Sequence, residues 1–473
     1  IGLGLVACEA RSESIAQEEA SMDQRGGNPG NDAFTGAWRG ELDAGGQTLP
    51  LIFRISTVDD TLSATMDSPQ QSARGIPVAE VSRDGREITL ELPALGASYR
   101  GRLDPETGTI TGTFSQGGAS FALDLAQTDD SDEQARRPQD PVPPFPYIAE
   151  DVTFTNPTAG ITLAGTITRP EGDGPFPAAV LISGSGQQNR DEEIFGHRPF
   201  LVLADALTRA GVVVLRYDDR GVGGSEGRET LEETTSGDFA GDAASALRFL
   251  REQPYTDPER AGLIGHSEGG IIAMLIGAQM KQVPVEADAS FLVLLAANAV
   301  PGDELLMMQS RALLEASGAT PAYIETIARA NREVYDIVLS DLPDDEKEER
   351  VARALRDVGV GSDQIEQQKV QLLSPWFEFF LRFDPSTALR RIDVPVLAVT
   401  GTLDRQVPAD ENLSAMRTAL EAAPTDEYTV RALDGLNHLL QPAESGAVEE
   451  YAQIETTIAP EALELIAEWV AGQ

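Results

Sequence analysis

Cysteine is almost missing from this chain, histidine is scarce, and basic residues are heavily outnumbered. Among 473 residues there is one Cys, at position 8, and there are three His. A single cysteine excludes an intrachain disulfide. The 36 Lys and Arg stand against 77 Asp and Glu, a formal net charge of −41. Such a surface repels phosphate backbones and anionic lipid heads, so nucleic acid is not an expected partner. It suits high solubility in salt, where screening reduces the self-repulsion. No His/Cys/Asp cluster has metal-ligand spacing, so neither a metal nor another cofactor is expected. Long apolar runs are also lacking: after the N-terminal stretch, no segment reaches the roughly 18 apolar residues of a membrane span. What is present, 41% hydrophobic and 24% charged residues over this length, reads as a globular protein of two domains or more.

The chain starts IGLGLVACEA. An apolar residue and two small ones before the only cysteine resemble the lipobox of bacterial lipoproteins. That resemblance implies lipidation at Cys8, with residues 1–7 as the tail of a signal peptide. The expected location is then the bacterial cell envelope, as a periplasmic or outer-membrane lipoprotein. Glu9, standing where an Asp would retain the protein at the inner membrane, leans to the outer. Residues 9–32 are polar, charged and poor in aromatics. They cannot bury a core and read as a flexible tether, so that 1–32 form one non-globular piece.

Residues 33–126 change character. LIFRIS, EITLEL, TGTITGTF and SFALDL are short, partly alternating and rich in β-branched residues, with Gly, Asp and Asn between them. They predict a small antiparallel β domain, a sandwich or barrel, with Trp38, Phe53, Phe114 and Phe121 in its core. Residues 127–146 read as a linker, flexible in its acidic half and stiff at its Pro-rich end.

From 147 to 473 apolar strands alternate with helical patterns. DVTFTN and ITLAGTITRP predict a hairpin. FPAAVLI, VVVLRYD, RAGLIGH, SFLVLLAA and VPVLAVTG read as buried strands, and helices lie between most of them. This is the pattern of a mostly parallel sheet covered on both faces. One helix, SGDFAGDAASALRFLREQ, has Ser236 or Asp238 near its expected N-cap. Residues 303–385 carry only helical periodicity and predict a cap inserted between two strands.

The chemistry centres on GHSEG, residues 265–269. Between a strand and a helix, Gly-x-Ser-x-Gly is the setting of a nucleophile elbow. The turn is too tight for side chains at Gly265 and Gly269, and the helix N-terminus carries partial positive charge toward Ser267. A serine needs a base. His266 adjoins it and would point away; His197 lies upstream and reads as structural. His438, after the last expected strand, remains. The acid that orients the base is expected between them, after the penultimate strand, where Asp404 stands. Asp434 competes but lies only four residues before His438. Two backbone N–H groups should face the developing oxyanion. One is that of Glu268. The other belongs to the loop Ser183-Gly184-Ser185-Gly186, at Ser185, with Gly186 or Gln187 as alternatives. RYDDRGVGGSEG, 216–227, lacks the Lys-Ser/Thr of a phosphate cradle and reads as a rigid turn held by Asp219 and Arg220.

The order Ser267, Asp404, His438, with LISGSGQQNRDE, VVVLRYDDRGVGGSEG, LIGHSEGG, LLSPWFEFFLRFDP, VPVLAVTGTLDRQVP and GLNHLLQ, resembles the α/β-hydrolase superfamily. WRGEL and GTFSQGG in the first domain narrow the resemblance to bacterial serine esterases with an N-terminal β domain. The resemblance implies cleavage of small carboxylic esters through an acyl-enzyme, without a cofactor. The cap, with Leu305, Met307, Met308 and Trp376-Phe377, would roof the acyl pocket or form its own core. A peptidase and a thioesterase use the same triad, but no propeller domain precedes this one and basic residues for coenzyme A phosphates are few. From another class, the alternative is an envelope binding protein that uses the β domain; binding by isolated 33–126 would discriminate. Oligomeric state is not legible.

Overall fold

The computed structural model describes residues 34–473, except 44–47, 59–60, 69–72, 93–94, 106, 117–118, 129–136 and 286. The Cys8 lipobox, the tether and the acidic half of the linker therefore lie outside the described residues. Residues 137–473 form one compact unit and the strands before them another.

The first unit is antiparallel throughout. Its strands are β1 (Gly36–Asp43), β2 (Thr48–Val58), β3 (Thr61–Ser68), β4 (Ala73–Val78), β5 (Glu80–Asp84), β6 (Glu87–Leu92), β7 (Ala97–Asp104), β8 (Thr109–Gln116), β9 (Ala119–Ala122) and β10 (Leu125–Thr128). The order β4-β3-β2-β1-β10-β8-β7-β6-β5 makes a nearly closed barrel, with β9 paired to β8. Alternation puts one face inside. Trp38, Phe53, Leu90, Tyr99 and Phe114 are buried there, and Phe121 packs half-buried against them. The Tyr99 hydroxyl, at the barrel's centre, donates to the Leu123 carbonyl at 3.1 Å. SFALDL is two short strands instead of one. At the break, Leu123 N–H bonds the Gly112 carbonyl and the Asp124 carboxylate accepts from Gly112 N–H.

The second unit has an eight-stranded sheet: β11 (Ile148–Asn156), β12 (Ile161–Arg169), β13 (Phe176–Ile182), β14 (Val213–Tyr217), β15 (Thr256–His266), β16 (Leu292–Leu295), β17 (Val396–Gly401) and β18 (Tyr428–Leu433). The order is β11-β12-β14-β13-β15-β16-β17-β18. The hairpin β11–β12 is antiparallel and in register from Ile148↔Arg169 to Asn156↔Ile161, and β12 pairs antiparallel to β14. All later pairings are parallel.

Continuous apolar strands require cover on both faces. On one face Val180, Ile182, Leu263 and Leu294 pack under α2 (Ser236–Arg251) and α3 (Glu268–Gly277). On the other, Ala179, Leu181, Ile264, Val293 and Val399 pack under α1 (Pro199–Arg209) and α11 (Pro460–Ala471). The small face of α2, Ala240, Ala243 and Ala244, lets it lie close to the sheet. Its N-cap is Thr235, one residue earlier than Ser236. Asp238 stands three residues on and accepts from the Thr235 N–H at 2.9 Å, closing a capping box.

Six helices separate β16 from β17: α4 (Gly302–Ala316), α5 (Pro321–Val338), α6 (Asp344–Asp357), α7 (Ser362–Leu372), α8 (Pro375–Arg382) and α9 (Pro385–Leu389). Between β17 and β18 lies α10 (Ala409–Leu420). The segment from Arg137 packs within this second unit. The Arg137 guanidinium donates to the carbonyls of Phe195, Gly196, Ala452 and Ile454. Gln139 bonds both Thr457 and Ile458.

Candidate active site

The C-terminal ends of β13, β15, β17 and β18 meet at one edge of the sheet, and the residues singled out in the sequence cluster there. Ser267 sits between β15 and α3 at φ 53°, ψ −117°, a region that L residues avoid. Its N–H donates to Leu295 O at 2.8 Å, and Gly270 N–H donates to its carbonyl at 3.0 Å. The two flanking glycines explain how the turn is made. A Cβ on Gly265 would stand 2.0 Å from Gly269 O, and one on Gly269 would stand 2.1 Å from Ile182 O. No side chain fits at either place.

His438 lies in the loop after β18, and its Nδ1 is 2.8 Å from Asp404 Oδ2. Asp404 follows β17. Its other oxygen accepts from the N–H groups of Gln406 and Val407, both at 2.8 Å. The carboxylate is thus held from both sides, and both residues are buried. Asp434 is elsewhere: it accepts from the exposed Thr402 hydroxyl at 3.1 Å. The loop carrying His438 is fastened by Asn437, whose side-chain oxygen accepts from Leu439 and Gln441 N–H.

His266 turns away from the elbow and under His438, ring to ring at 4.8 Å. Its Nδ1 is 2.8 Å from Glu192 Oε1 and its Nε2 is 3.0 Å from the His438 carbonyl. Burial opposes its charge, but the Glu192 carboxylate outweighs that and raises its pKa above the ordinary value. The same Glu192 Oε1 accepts from Gly184 N–H at 2.7 Å. His197 is apart from this cluster. It is fully buried, with Nδ1 at Thr457 Oγ1 and Nε2 at Tyr451 O, both 2.9 Å. Burial, joined by the Arg137 charge, pushes it down to about 4, so it is a neutral structural residue.

The Glu268 side chain, which the sequence left without a role, is buried at the start of α3. Its Oε1 accepts from Ser236 Oγ at 2.6 Å and from Trp376 Nε1 at 2.7 Å, and the Ser185 hydroxyl bonds it as well. Burial raises its pKa despite these donors. Trp376 belongs to α8, so the cap is hydrogen-bonded to the residue that follows Ser267. Trp376 stacks on Phe380 at 5.6 Å. Leu305 and Phe377 are buried among cap residues, and Met307 and Met308 pack half-buried beside them.

The turn at 216–227 is tied down at Asp219 and Arg220. Asp219, buried, accepts from Ser183 Oγ and Gln188 N–H at 2.9 Å. Arg220 pairs with Asp242 at 2.7 Å. These bonds hold the loop after β13 from behind. Among the described residues no group of three His, Cys, Asp or Glu is placed to hold a metal, and no helix is long and apolar enough to cross a membrane.

Glu192 and the pairing of Trp376 with Glu268 were not found from the sequence. Their partners lie 74 and 108 residues away, and no periodicity reports such contacts.

Comparison with known proteins gives the same frame. Esterase EstD of Thermotoga maritima is 25% identical over 331 residues, 70% of this chain and 69% of its own length. An uncharacterised protein of Mycobacterium tuberculosis is 26% identical over 187 residues, 38% of this chain and 62% of its own. Among solved structures, the alpha/beta hydrolase GrgF from Penicillium sp. sh18 is similar with a TM-score of 0.39 and 17% identity, over 62% of this chain and 91% of that one. An esterase of Pyrococcus furiosus gives 0.38 and 16%, over 61% and 83%. The sequence profile of the alpha/beta hydrolase family matches residues 179–452, which is more than half of the chain and runs from β13 past His438. With that match and the strand order above, the chain belongs to the alpha/beta hydrolase family.

Proposed function

We propose that the protein is a serine esterase that cleaves carboxylic esters through an acyl-enzyme. The observation that carries this reading is the buried 2.8 Å pair of His438 and Asp404 at the same sheet edge as a serine held in a strained strand-to-helix turn. Similarity to esterase EstD supports ester hydrolysis as the reaction class.

In this reading His438 Nε2 takes the proton of Ser267, and Oγ attacks the acyl carbonyl. Asp404 keeps Nδ1 protonated and stabilises the imidazolium that forms. The tetrahedral oxyanion is met by the Glu268 N–H, at the positive end of α3, and by a second N–H from the loop after β13. The Gly184 N–H is committed to Glu192, which favours Ser185 as that second donor. The Ser185 hydroxyl is tied to Glu268, so both proposed donors belong to one hydrogen-bonded unit. His438 then returns the proton to the leaving alcohol, and water repeats the cycle on the acyl-enzyme. Trp376 over the elbow marks the cap as the wall of the acyl pocket.

A p-nitrophenyl ester series from acetate to long acyl chains tests this with wild type and Ser267→Ala. The expected outcome is turnover by wild type and a loss of several orders of magnitude in the variant. Equal, slow rates for both proteins on every ester would refute the assignment.

A further inference from the structure

Three loops from distant parts of the chain must be held in register for the proposed chemistry: the loop after β13, the elbow, and the loop of His438. One buried side-chain pair touches all three. Glu192 Oε1 accepts from Gly184 N–H at 2.7 Å and faces His266 Nδ1 at 2.8 Å; His266 Nε2 faces the His438 carbonyl at 3.0 Å. A carbonyl oxygen only accepts, so Nε2 carries a proton. The 2.8 Å contact between Nδ1 and Glu192 Oε1 also holds a proton, and the Glu192 charge, which raises the His266 pKa, favours Nδ1 as its owner. Both ring nitrogens then donate, with His266 the cationic partner of Glu192. The raised pKa of His266 agrees with that assignment.

We propose that Glu192 and His266 are a positioning pair that locks the oxyanion loop, the nucleophile elbow and the catalytic histidine loop to one another. Neither residue touches the reacting atoms. Glu192 fixes the direction of the Ser183–Gly184 peptide, one residue before the proposed donor at Ser185, and His266 fixes the backbone of His438 from beneath. A buried pair of this kind is not favoured for stability alone, because desolvation offsets much of its attraction. Its cost is visible here: Glu192 Oε2 is buried with no hydrogen-bond partner. The return is geometric. A displacement of about 1 Å among reacting groups costs on the order of 10²-fold in rate.

This inference rests on the serine-esterase reading, and the experiment separates the two. Steady-state kinetics on p-nitrophenyl butyrate are compared for wild type, Ser267→Ala, His266→Gln, Glu192→Ala and Glu192→Gln. His266→Gln and Glu192→Ala are expected to lower kcat by roughly 10- to 100-fold with KM within about threefold. Glu192→Gln is expected to recover part of that loss, because its amide oxygen still accepts from Gly184 and His266. Folded His266→Gln and Glu192→Ala proteins with wild-type kcat would overturn the proposal. So would a loss confined to KM. Should the variants not fold, histidine-selective ¹⁵N labelling of the wild-type chain decides, since there are only three rings to assign. At neutral pH His266 must show both nitrogens protonated; one unprotonated nitrogen refutes the pair. If Ser267→Ala keeps full activity, the esterase reading falls, while the ¹⁵N signature still tests the pair.

Discussion

Replacing Ser267 by glycine is expected to abolish turnover and stabilise the protein at once. The serine holds φ 53° and ψ −117°, in a region that costs a residue with a Cβ about 1–3 kcal/mol. Glycine removes that strain. It also gives the unfolded chain more freedom, which costs about 0.5–1 kcal/mol. The difference leaves a net gain of roughly 0.5–2 kcal/mol for Ser267→Gly over Ser267→Ala. Alanine is the right reference, because it removes the hydroxyl and keeps the Cβ. For a unit of this size, with an unfolding entropy of about 0.7 kcal/mol/K, the gain corresponds to about 1–3 °C in Tm. Calorimetry of the full chain measures it. Unfolding enthalpy scales with the number of residues, so the larger transition belongs to the 137–473 unit. If Ser267→Gly melts at or below Ser267→Ala, the elbow stores no strain, and the argument from backbone geometry fails.

Two further outcomes follow from the site. Asp404→Asn keeps an oxygen for the Gln406 and Val407 N–H groups but turns an amide NH₂ toward His438 Nδ1. That forces the proton onto Nε2, where it blocks the serine, and kcat should fall by roughly 10³–10⁴ with KM little changed. His197 is neutral in the fold, held down to about 4 against an ordinary 6.5. Its contribution is present above pH 6.5 and is lost as pH falls through 6.5 to 4, by up to about 3 kcal/mol. Urea midpoints of wild type and His197→Gln at pH 7 and pH 4 should show the wild type losing more; parallel losses would rule out this source of acid lability.

What could be read from the sequence was whatever repeats along it or stands at a fixed offset. Runs such as AAVLI and LVLL mark strands buried on both faces, because no polar residue interrupts them. GHSEG marks a turn, because only glycine fits two residues either side of Ser267. The barrel was legible in outline, through short alternating runs that put residues such as Trp38 and Phe53, paired across β1 and β2, on the inner face. Its pairing was not: β10 inserts between β1 and β8, and nothing in LAQT says so. Ser236 and Asp238 do lie near the N-cap of α2, which is Thr235, chemically like its neighbour Ser236. Glu192 sits in RDEEIFGH among other acids, and only the folded chain separates the carboxylate that meets His266 from its neighbours. The same holds for Trp376, whose aromatic character suggests a core position while its indole N–H reaches Glu268.

The stitching of the last loop has a consequence for biosynthesis. Arg137 and Gln139 bind residues 452–458 across 315 to 319 positions, and His197 meets Tyr451 across 254. Such contacts close only after nearly the whole chain is available, and contacts of high sequence separation form slowly. A chain still emerging from the ribosome can have most of its sheet in place and still lack the anchorage of the loop that carries His438. Catalytic competence would then arrive last, as a property of the finished molecule.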